Sequence, residues 1–180
     1  VSCRSGAKFS MPGMMDTVLN LGLTDETVKG LVARTGNERF AYDSYRRLVQ
    51  MYGDVVLGLK PEKKTDLDPF EEILDQVKDK KGVKLDTELE AADLKELVKL
   101  FQDAIVDRLG VDLPQQPMKQ LWGAIDAVFG SWNNPRAIKY REINDIHGLI
   151  GTGVSVQTMV FGNMGQTCGT GGAFEGNPEH

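Results

Sequence analysis

A series of helix-forming patterns occupies residues 24–146 and leaves a glycine-containing segment at each end of the chain. Within this block apolar residues recur at steps of three and four, which is the spacing of one face of an α-helix. The patterns stop at glycines or before a proline, as helices commonly do. We therefore expect a helical block in the middle, with helices over about 24–35, 40–56, 69–81, 91–109, 117–132 and 136–143.

Three features of the block carry more specific expectations. The spacing of apolar residues in the fifth helix predicts a buried apolar face that includes Val128 and Phe129. Trp122 and Trp132 also have helical spacing, which favours core positions over a stacking platform for bases. Arg39, Arg46 and Arg47 could form a phosphate clamp, but arginines on a helix usually face solvent, and we expect that for Arg46 and Arg47.

Composition and charge exclude several classes of protein. The chain has 180 residues and a net charge of −5, which argues against a nucleic-acid binder that works by neutralising phosphates. No apolar run approaches the ~20 residues that span a bilayer, and we recognise no signal peptide. Cys3 and Cys168 have no spacing typical of a zinc site or a disulfide framework. We expect free thiols in a reducing cytoplasm.

The first 23 residues combine positive charge, glycines and methionines. Arg4 and Lys8 supply charge suited to a polyphosphate, beside Gly6 and Gly13, which allow close backbone approach or positive φ. Methionines at 11, 14 and 15 offer soft apolar surface that can pack on a purine ring. The alternative interpretation is a surface loop that enters a helix, with the methionines filling core.

The last 33 residues have the pattern of a β-hairpin. Residues 154–161 alternate as a strand does, 162–165 form a turn, and 167–174 return as a strand interrupted by glycines. Backbone N–H groups at Gly169, Thr170 and Gly171, with the Thr170 hydroxyl, could hold phosphate oxygens. The alternative is the bulged edge of a hairpin without a ligand.

Four segments in order resemble pyruvate, phosphate dikinase and, more loosely, the other phosphoenolpyruvate-utilising enzymes. They cover nearly the whole chain, and together they are more specific than any one of them. The segments are 4–7 (Arg-Ser-Gly-Ala) with 10–22 (Ser-Met-Pro-Gly-Met-Met-Asp-Thr through Leu-Asn-Leu-Gly), 39–47 (Arg-Phe-Ala-Tyr-Asp-Ser-Tyr-Arg-Arg), 131–137 (Ser-Trp-Asn-Asn-Pro-Arg-Ala) and 156–163 (Val-Gln-Thr-Met-Val-Phe-Gly-Asn).

The resemblance implies an α+β, ATP-grasp-like nucleotide-binding domain with a large helical insertion and a C-terminal β-hairpin. The chain would be a partial ATP-binding domain: 1–23 as nucleotide loop and helix start, 24–146 as helical subdomain and 147–180 as hairpin with a glycine-rich phosphate loop. The matching positions place Arg4 toward the phosphates, Met15 near the nucleotide and Gln157 on a strand lining the cleft. Thr170, between Gly169 and Gly171, would lie in the phosphate loop.

The implied reaction converts ATP, pyruvate and phosphate to AMP, phosphoenolpyruvate and diphosphate, through a histidine on a domain absent here. The resemblance implies ATP and Mg²⁺ as ligands, magnesium ligands outside this chain, and a parent protein that is a homo-oligomer. We expect no catalytic residue in the chain, and His147 and His180 match no carrier motif. The alternatives are a phosphoenolpyruvate synthase-type fragment and a non-catalytic helical interaction module.

Two departures from the family pattern bear on activity. The family has an upstream glycine-rich segment with a nucleotide-binding lysine, and the sequence given begins after it. For the same reason, an organellar targeting segment in the parent protein is an alternative to a cytoplasmic location. Residues 172–180 lack the threonine and arginine expected there and carry Glu175 instead. We therefore expect the chain by itself to be inactive or nearly so.

Overall fold

A computed structural model describes residues 1–61, 67–165 and 167–169 as six helices and three short strands. No helix in this described part is both long and apolar enough to cross a membrane. The elements are β1 (Ser2–Gly6), β2 (Thr17–Val18), α1 (Thr27–Thr35), α2 (Glu38–Val55), α3 (Pro69–Lys81), α4 (Ala91–Leu109), α5 (Pro117–Gly130), α6 (Pro135–Ile143) and β3 (Gly153–Gln157), with single 3₁₀ turns at Asp86–Glu88 and Ser131–Asn133.

The helix ends follow capping chemistry that is visible in the sequence. Asp68 caps α3, because its carboxylate accepts hydrogen bonds from the backbone N–H groups of Phe70 (2.9 Å) and Glu71 (3.2 Å). Pro69 occupies the first helical position, where no N–H is needed. Gly82 ends the helix with φ +70°. The predicted bounds of α3 are therefore confirmed.

The core lies between α2 and α4, with α3 packed against α4. Tyr45, Leu48 and Tyr52 point inward from α2 and are almost completely buried. The rings of Phe70 and Phe101 meet edge to face with centroids 5.0 Å apart, an arrangement that aromatic pairs favour. Burial of these side chains is the main force that holds the helices together.

The predicted inward face of α5 is wrong in part. Phe129 and Trp122 are exposed, at 49% and 61%, whereas Gln120 is completely buried. The Gln120 amide accepts a hydrogen bond from the N–H of Gly22 and donates to the carbonyls of Leu23 and Pro114. A polar side chain thus occupies the inward position because it satisfies the backbone of two loops.

Trp132 is half-buried and lies after the end of α5, so it is not the core residue that we expected. The Arg141 guanidinium lies 3.9 Å from its ring centre, and Nη1 of Arg141 donates to the Trp132 carbonyl. Cation–π stacking and this hydrogen bond hold α6 against the turn that precedes it.

The three arginines of α2 have different surroundings in the structure. Arg39 donates to the backbone carbonyls of Asp86 and Leu89, at 2.9 and 2.8 Å. Arg46 is 3% exposed and pairs with Asp43, which corrects the expected solvent-facing position. Arg47 is 55% exposed, as predicted.

The small sheet joins the two ends of the chain. Its strand order is β2-β1-β3, and both pairs are antiparallel. The six helices lie in the chain between β2 and β3, so they form an insertion within one sheet. We predicted β3 but expected a loop and a helix start over 1–23, where β1 and β2 lie.

The partner of β3 also differs from the expected one. In the described residues β3 pairs with β1, and not with a returning strand. Residues 162–165 form the predicted turn, while Thr167–Gly169 are not in a strand, and 170–174 lie outside the described residues.

Candidate functional site

One face of the sheet is available to a ligand. Residues directly opposite each other on paired strands share a face, and the pairing joins Arg4 to Thr17 on one side and to Ser155 on the other. Gln157, two residues beyond Ser155, lies on the same face. Arg4 and Gln157 are exposed, and Thr17 and Ser155 are half-buried. This face, which we call the exposed face, therefore offers an exposed guanidinium, an exposed amide and two half-buried hydroxyls, while Ser2, opposite Gln157, is buried.

The register brings Arg4 and Gln157 close together. Gln157 pairs with Ser2, so Arg4 and Gln157 are diagonal neighbours on adjacent strands. Such positions are typically about 7–8 Å apart at the backbone, within reach of one ligand for two long side chains. An arginine fork and an amide on one open surface can hold phosphate oxygens or hydroxyl groups.

The opposite face of the sheet packs on α5 and the core. Cys3 and Val18 pair there and are completely buried. Burial raises the pKa of the Cys3 thiol, which keeps it protonated and unreactive. The role of this face is to fix the strands that present Arg4 and Gln157.

The segment between β1 and β2 contains a methionine loop, residues 11–16. Gly13 has φ +72°, a conformation that glycine adopts readily, and the N–H of Met14 donates to the Met11 carbonyl at 3.2 Å. Met11 is buried, whereas Met14 and Met15 are half-exposed. Met15 precedes by two residues the Thr17 that pairs with Arg4, so the methionine loop lies at the β2 edge of the exposed face.

The motif at 131–136 holds the methionine loop in place. The N–H of Asp16 donates to Ser131 Oγ at 3.1 Å, and Asn134 Nδ2 donates to the Asp16 carboxylate at 2.9 Å. Arg136 pairs with the other oxygen of that carboxylate and also donates through Nε to the Met14 carbonyl at 3.0 Å. Two of the four family-like segments are thus in direct contact.

A cavity of about 570 Å³ lies between α1 and the segment that follows β3. It begins directly after Gln157 and ends directly before Gly169, because Thr158 and Cys168 both line it. Gly169 is exposed and is not in a strand. Thr170 and Gly171, the rest of the predicted phosphate loop, lie outside the described residues.

The wall of this cavity is fixed by α2. The rings of Phe40 and Phe161 meet edge to face at 5.0 Å, and Asn37 Nδ2 donates to the Met164 carbonyl at 3.1 Å. Asn37 is also the N-cap of α2. The other two family-like segments therefore also contact each other.

The described part of the chain contains no group of three or more His, Cys, Asp or Glu side chains placed to hold a metal. His147 lies on the loop after α6, with Nε2 2.8 Å from the Asp145 carboxylate, and both side chains are exposed.

Two relevant arginines were not among the predicted site residues. Arg34 on α1 lines the cavity after β3, and nothing in the sequence distinguishes it from an ordinary surface arginine. Arg136 lies in a segment that we had quoted for its resemblance, and that resemblance was a usable signal.

Comparison with known proteins gives a consistent result. The family model described as "Pyruvate phosphate dikinase, AMP/ATP-binding domain" matches residues 1–180. The chain is 58% identical over 178 residues to pyruvate, phosphate dikinase 1, chloroplastic, of Arabidopsis thaliana, covering 99% of the chain and 18% of the relative. It is 57% identical over 179 residues to pyruvate, phosphate dikinase of Clostridium symbiosum, covering 99% and 20%. The chain therefore spans at most a fifth of the length of these relatives.

Proposed function

Because the chain belongs to the pyruvate phosphate dikinase AMP/ATP-binding domain family, we propose that its exposed sheet face and its methionine loop bind one ATP molecule. The observation that carries the proposal is the sheet register, which presents Arg4 and Gln157 on one face beside the strand that Met15 precedes. Gln157 is far from Arg4 and Met15 in the sequence. Their convergence is what a binding site requires.

Each residue has a distinct proposed role. Arg4 neutralises phosphate charge and donates hydrogen bonds to phosphate oxygens, which are stronger than those between neutral groups. Met15 packs its polarisable thioether against the adenine ring. Gln157 donates and accepts through its amide at the edge of the cavity that follows β3. Gly169, Thr170 and Gly171 supply backbone N–H groups to the phosphates.

Membership of this family also suggests an activity for the longer protein. We propose that the longer protein converts ATP, pyruvate and inorganic phosphate to AMP, phosphoenolpyruvate and diphosphate. One phosphoryl group of ATP passes through a histidine on a separate domain to pyruvate, and another is taken by inorganic phosphate to form diphosphate. Transfer of this kind depends mostly on positioning and electrostatic stabilisation, and Arg4 would contribute to both. The chain by itself supplies nucleotide binding and no catalytic histidine.

The architecture of the complete domain is also proposed. We propose an ATP-grasp-like arrangement for the complete domain, because strands from both ends of the chain enclose a helical insertion. The described residues offer no cluster of metal ligands, and we propose that the magnesium ligands lie elsewhere in the protein.

Location and assembly are also proposed. Cys3 and Cys168 are free thiols, which fits a reducing compartment such as the cytoplasm. Several relatives carry the word chloroplastic in their names, so an organelle is the alternative location. We propose that the parent protein is a homo-oligomer and that the chain binds neither nucleic acid nor membrane.

Two alternative functions can be distinguished from ATP binding in a dikinase. A phosphoenolpyruvate synthase-type activity would share the ATP site, and dependence of the full-length protein on inorganic phosphate separates it from the dikinase. A non-catalytic interaction module would keep the helices but bind no nucleotide. The similarity to dikinases over 99% of the chain favours the dikinase function.

Replacing Arg4 with alanine is expected to weaken ATP binding by roughly 10- to 100-fold, the worth of a hydrogen bond to a charged group. Isothermal titration calorimetry of the chain with ATP and magnesium measures this loss. Arg4 is exposed on the open face of the sheet, so the substitution leaves the core intact.

Arg108→Ala is the matched control, because Arg108 is an exposed arginine in the last turn of α4. We expect it to bind ATP as the wild type does. Equal binding by wild type and Arg4→Ala, or no binding by the wild type, would contradict the proposed site and favour the interaction module.

A further inference from the structure

Four contacts made by the segment after α5 converge on the methionine loop and bracket one residue, Met15. On one side of it, the Met14 carbonyl accepts a hydrogen bond from Arg136 Nε at 3.0 Å. On the other side, the N–H of Asp16 donates to Ser131 Oγ at 3.1 Å. Both peptide groups that flank Met15 are therefore fixed by contacts from another part of the chain.

The Asp16 carboxylate also contacts the segment after α5. One oxygen pairs with the guanidinium of Arg136, and the other accepts from Asn134 Nδ2 at 2.9 Å. The Asp16 side chain is 19% exposed, whereas the Arg136 side chain is 54% exposed. This arrangement satisfies the carboxylate and fixes the direction of the loop backbone.

The anchor of this arrangement is rigid. Ser131 is 1% exposed, and its hydroxyl donates to the carbonyl of Val128, a fully buried residue of α5. The α5 helix in turn packs on the sheet that carries Arg4. The position of Met15 relative to Arg4 is thus set through α5 and not only through the chain between them.

We propose that Arg136, with Asn134 and Asp16, is a positioning residue that orders the methionine loop for contact with the adenine ring. The proposal rests on the function proposed above for Met15. Without these contacts the glycine-containing loop samples other conformations, and apparent affinity falls with the fraction of loop in the competent one. We expect the phosphate contacts of Arg4 to be retained, because β1 is also held by its five-residue pairing with β3.

The test compares ATP with inorganic tripolyphosphate, which has the charge but no adenine. In Arg136→Gln we expect ATP binding to weaken about tenfold, which corresponds to a loop that occupies the competent conformation in about one-tenth of the molecules. Tripolyphosphate binding is expected to be unchanged. Arg4→Ala is expected to weaken both ligands. A merely destabilised fold would lose both ligands together, so the difference between ligands identifies positioning.

Asn134→Ala is a second variant that keeps the helix intact, because the Asn134 side chain makes no capping hydrogen bond to α6. We expect the same selective loss of ATP, together with faster amide hydrogen exchange at residues 14–16 and an unchanged melting temperature. Arg108→Gln serves as the control for loss of a positive charge.

The outcomes separate the two proposals. ATP affinity unchanged in Arg136→Gln and Asn134→Ala, or an equal loss of both ligands in both variants, would overturn the positioning role and leave the ATP site standing. A wild type that binds neither ligand would overturn the ATP site, and the positioning role with it.

Discussion

Replacing Asp43 with leucine is expected to destabilise the fold by about 3 kcal/mol, because it leaves a buried arginine without its main partner. Asp43 Oδ1 accepts from Nε and Nη2 of Arg46 at 3.2 and 2.9 Å, and the two residues are 5% and 3% exposed. The remaining contacts of Arg46 are weaker: Gln50 at 3.2 Å and Asp86 at 3.6 Å. Urea unfolding of the chain measures the loss.

Two further variants make this result specific. Arg47→Met removes the other arginine that binds Asp43, but that arginine is 55% exposed, so we expect a cost below about 1 kcal/mol. The double variant Asp43→Leu with Arg46→Met removes both buried charges and is expected to recover much of the stability. A loss in Asp43→Leu no greater than that in Arg47→Met would contradict the importance of burial.

This pair also concerns the functional site. Asp43, Ser44 and Arg46 lie in the family-like segment 39–47, and the Ser44 carbonyl accepts a hydrogen bond from Asn20 Nδ2 at 3.0 Å. Asn20 follows β2 and takes φ +60° there. The segment thus fixes the residue that follows β2, and Arg39 and Arg46 hold it to the rest of the fold.

Gly53→Ala is expected to cost about 2 kcal/mol, although alanine is the better helix former by about 1 kcal/mol. A Cβ at Gly53 would lie 2.4 Å from Cζ of Phe70 and 3.2 Å from Cδ1 of Ile105. Both side chains are completely buried, and the Phe70 ring is packed against Phe101. The core has no room for the ring to move away.

Gly30→Ala is the matched control in α1, because a Cβ there would have no atom within 4 Å. We expect this variant to gain up to about 1 kcal/mol from helix propensity alone. Thermal or urea unfolding of the two variants should show changes of opposite sign. Stabilisation of both variants would show that α2 and α3 are less closely packed than the structure indicates.

The helices could be predicted from the sequence because their signals are local. Asp68-Pro69 at the start of α3, and glycines at the ends of α1, α3 and α4, each act within a few residues. Burial was harder to predict where a polar side chain is satisfied by distant groups. Gln120 looks like a surface residue in the sequence, since its partners Gly22 and Leu23 are almost 100 residues away. Arg46 has its main partner, Asp43, on the same helix, and the sequence does not show that the pair is buried.

The sheet shows the same limit. The alternating pattern of β3 made that strand predictable. β1 is only five residues long, and β3, with which it pairs along its whole length, lies about 150 residues away. Gln157 was a predicted site residue by resemblance alone, and the register now gives a physical reason for grouping it with Arg4. Arg4 and Met15 were predicted both from their chemistry and from the resemblance. The link of Met15 to Arg136 depends on a contact across 120 residues that no local pattern reveals.

The most direct test of the proposed ATP site is methyl NMR of the chain labelled at its seven methionines. Addition of ATP is expected to shift the Met15 resonance, while Met118, 60% exposed on α5, should stay unchanged. The Met15→Leu variant assigns the signal. An unchanged Met15 resonance at saturating ATP would contradict the proposal that the methionine loop and the exposed sheet face form one nucleotide site.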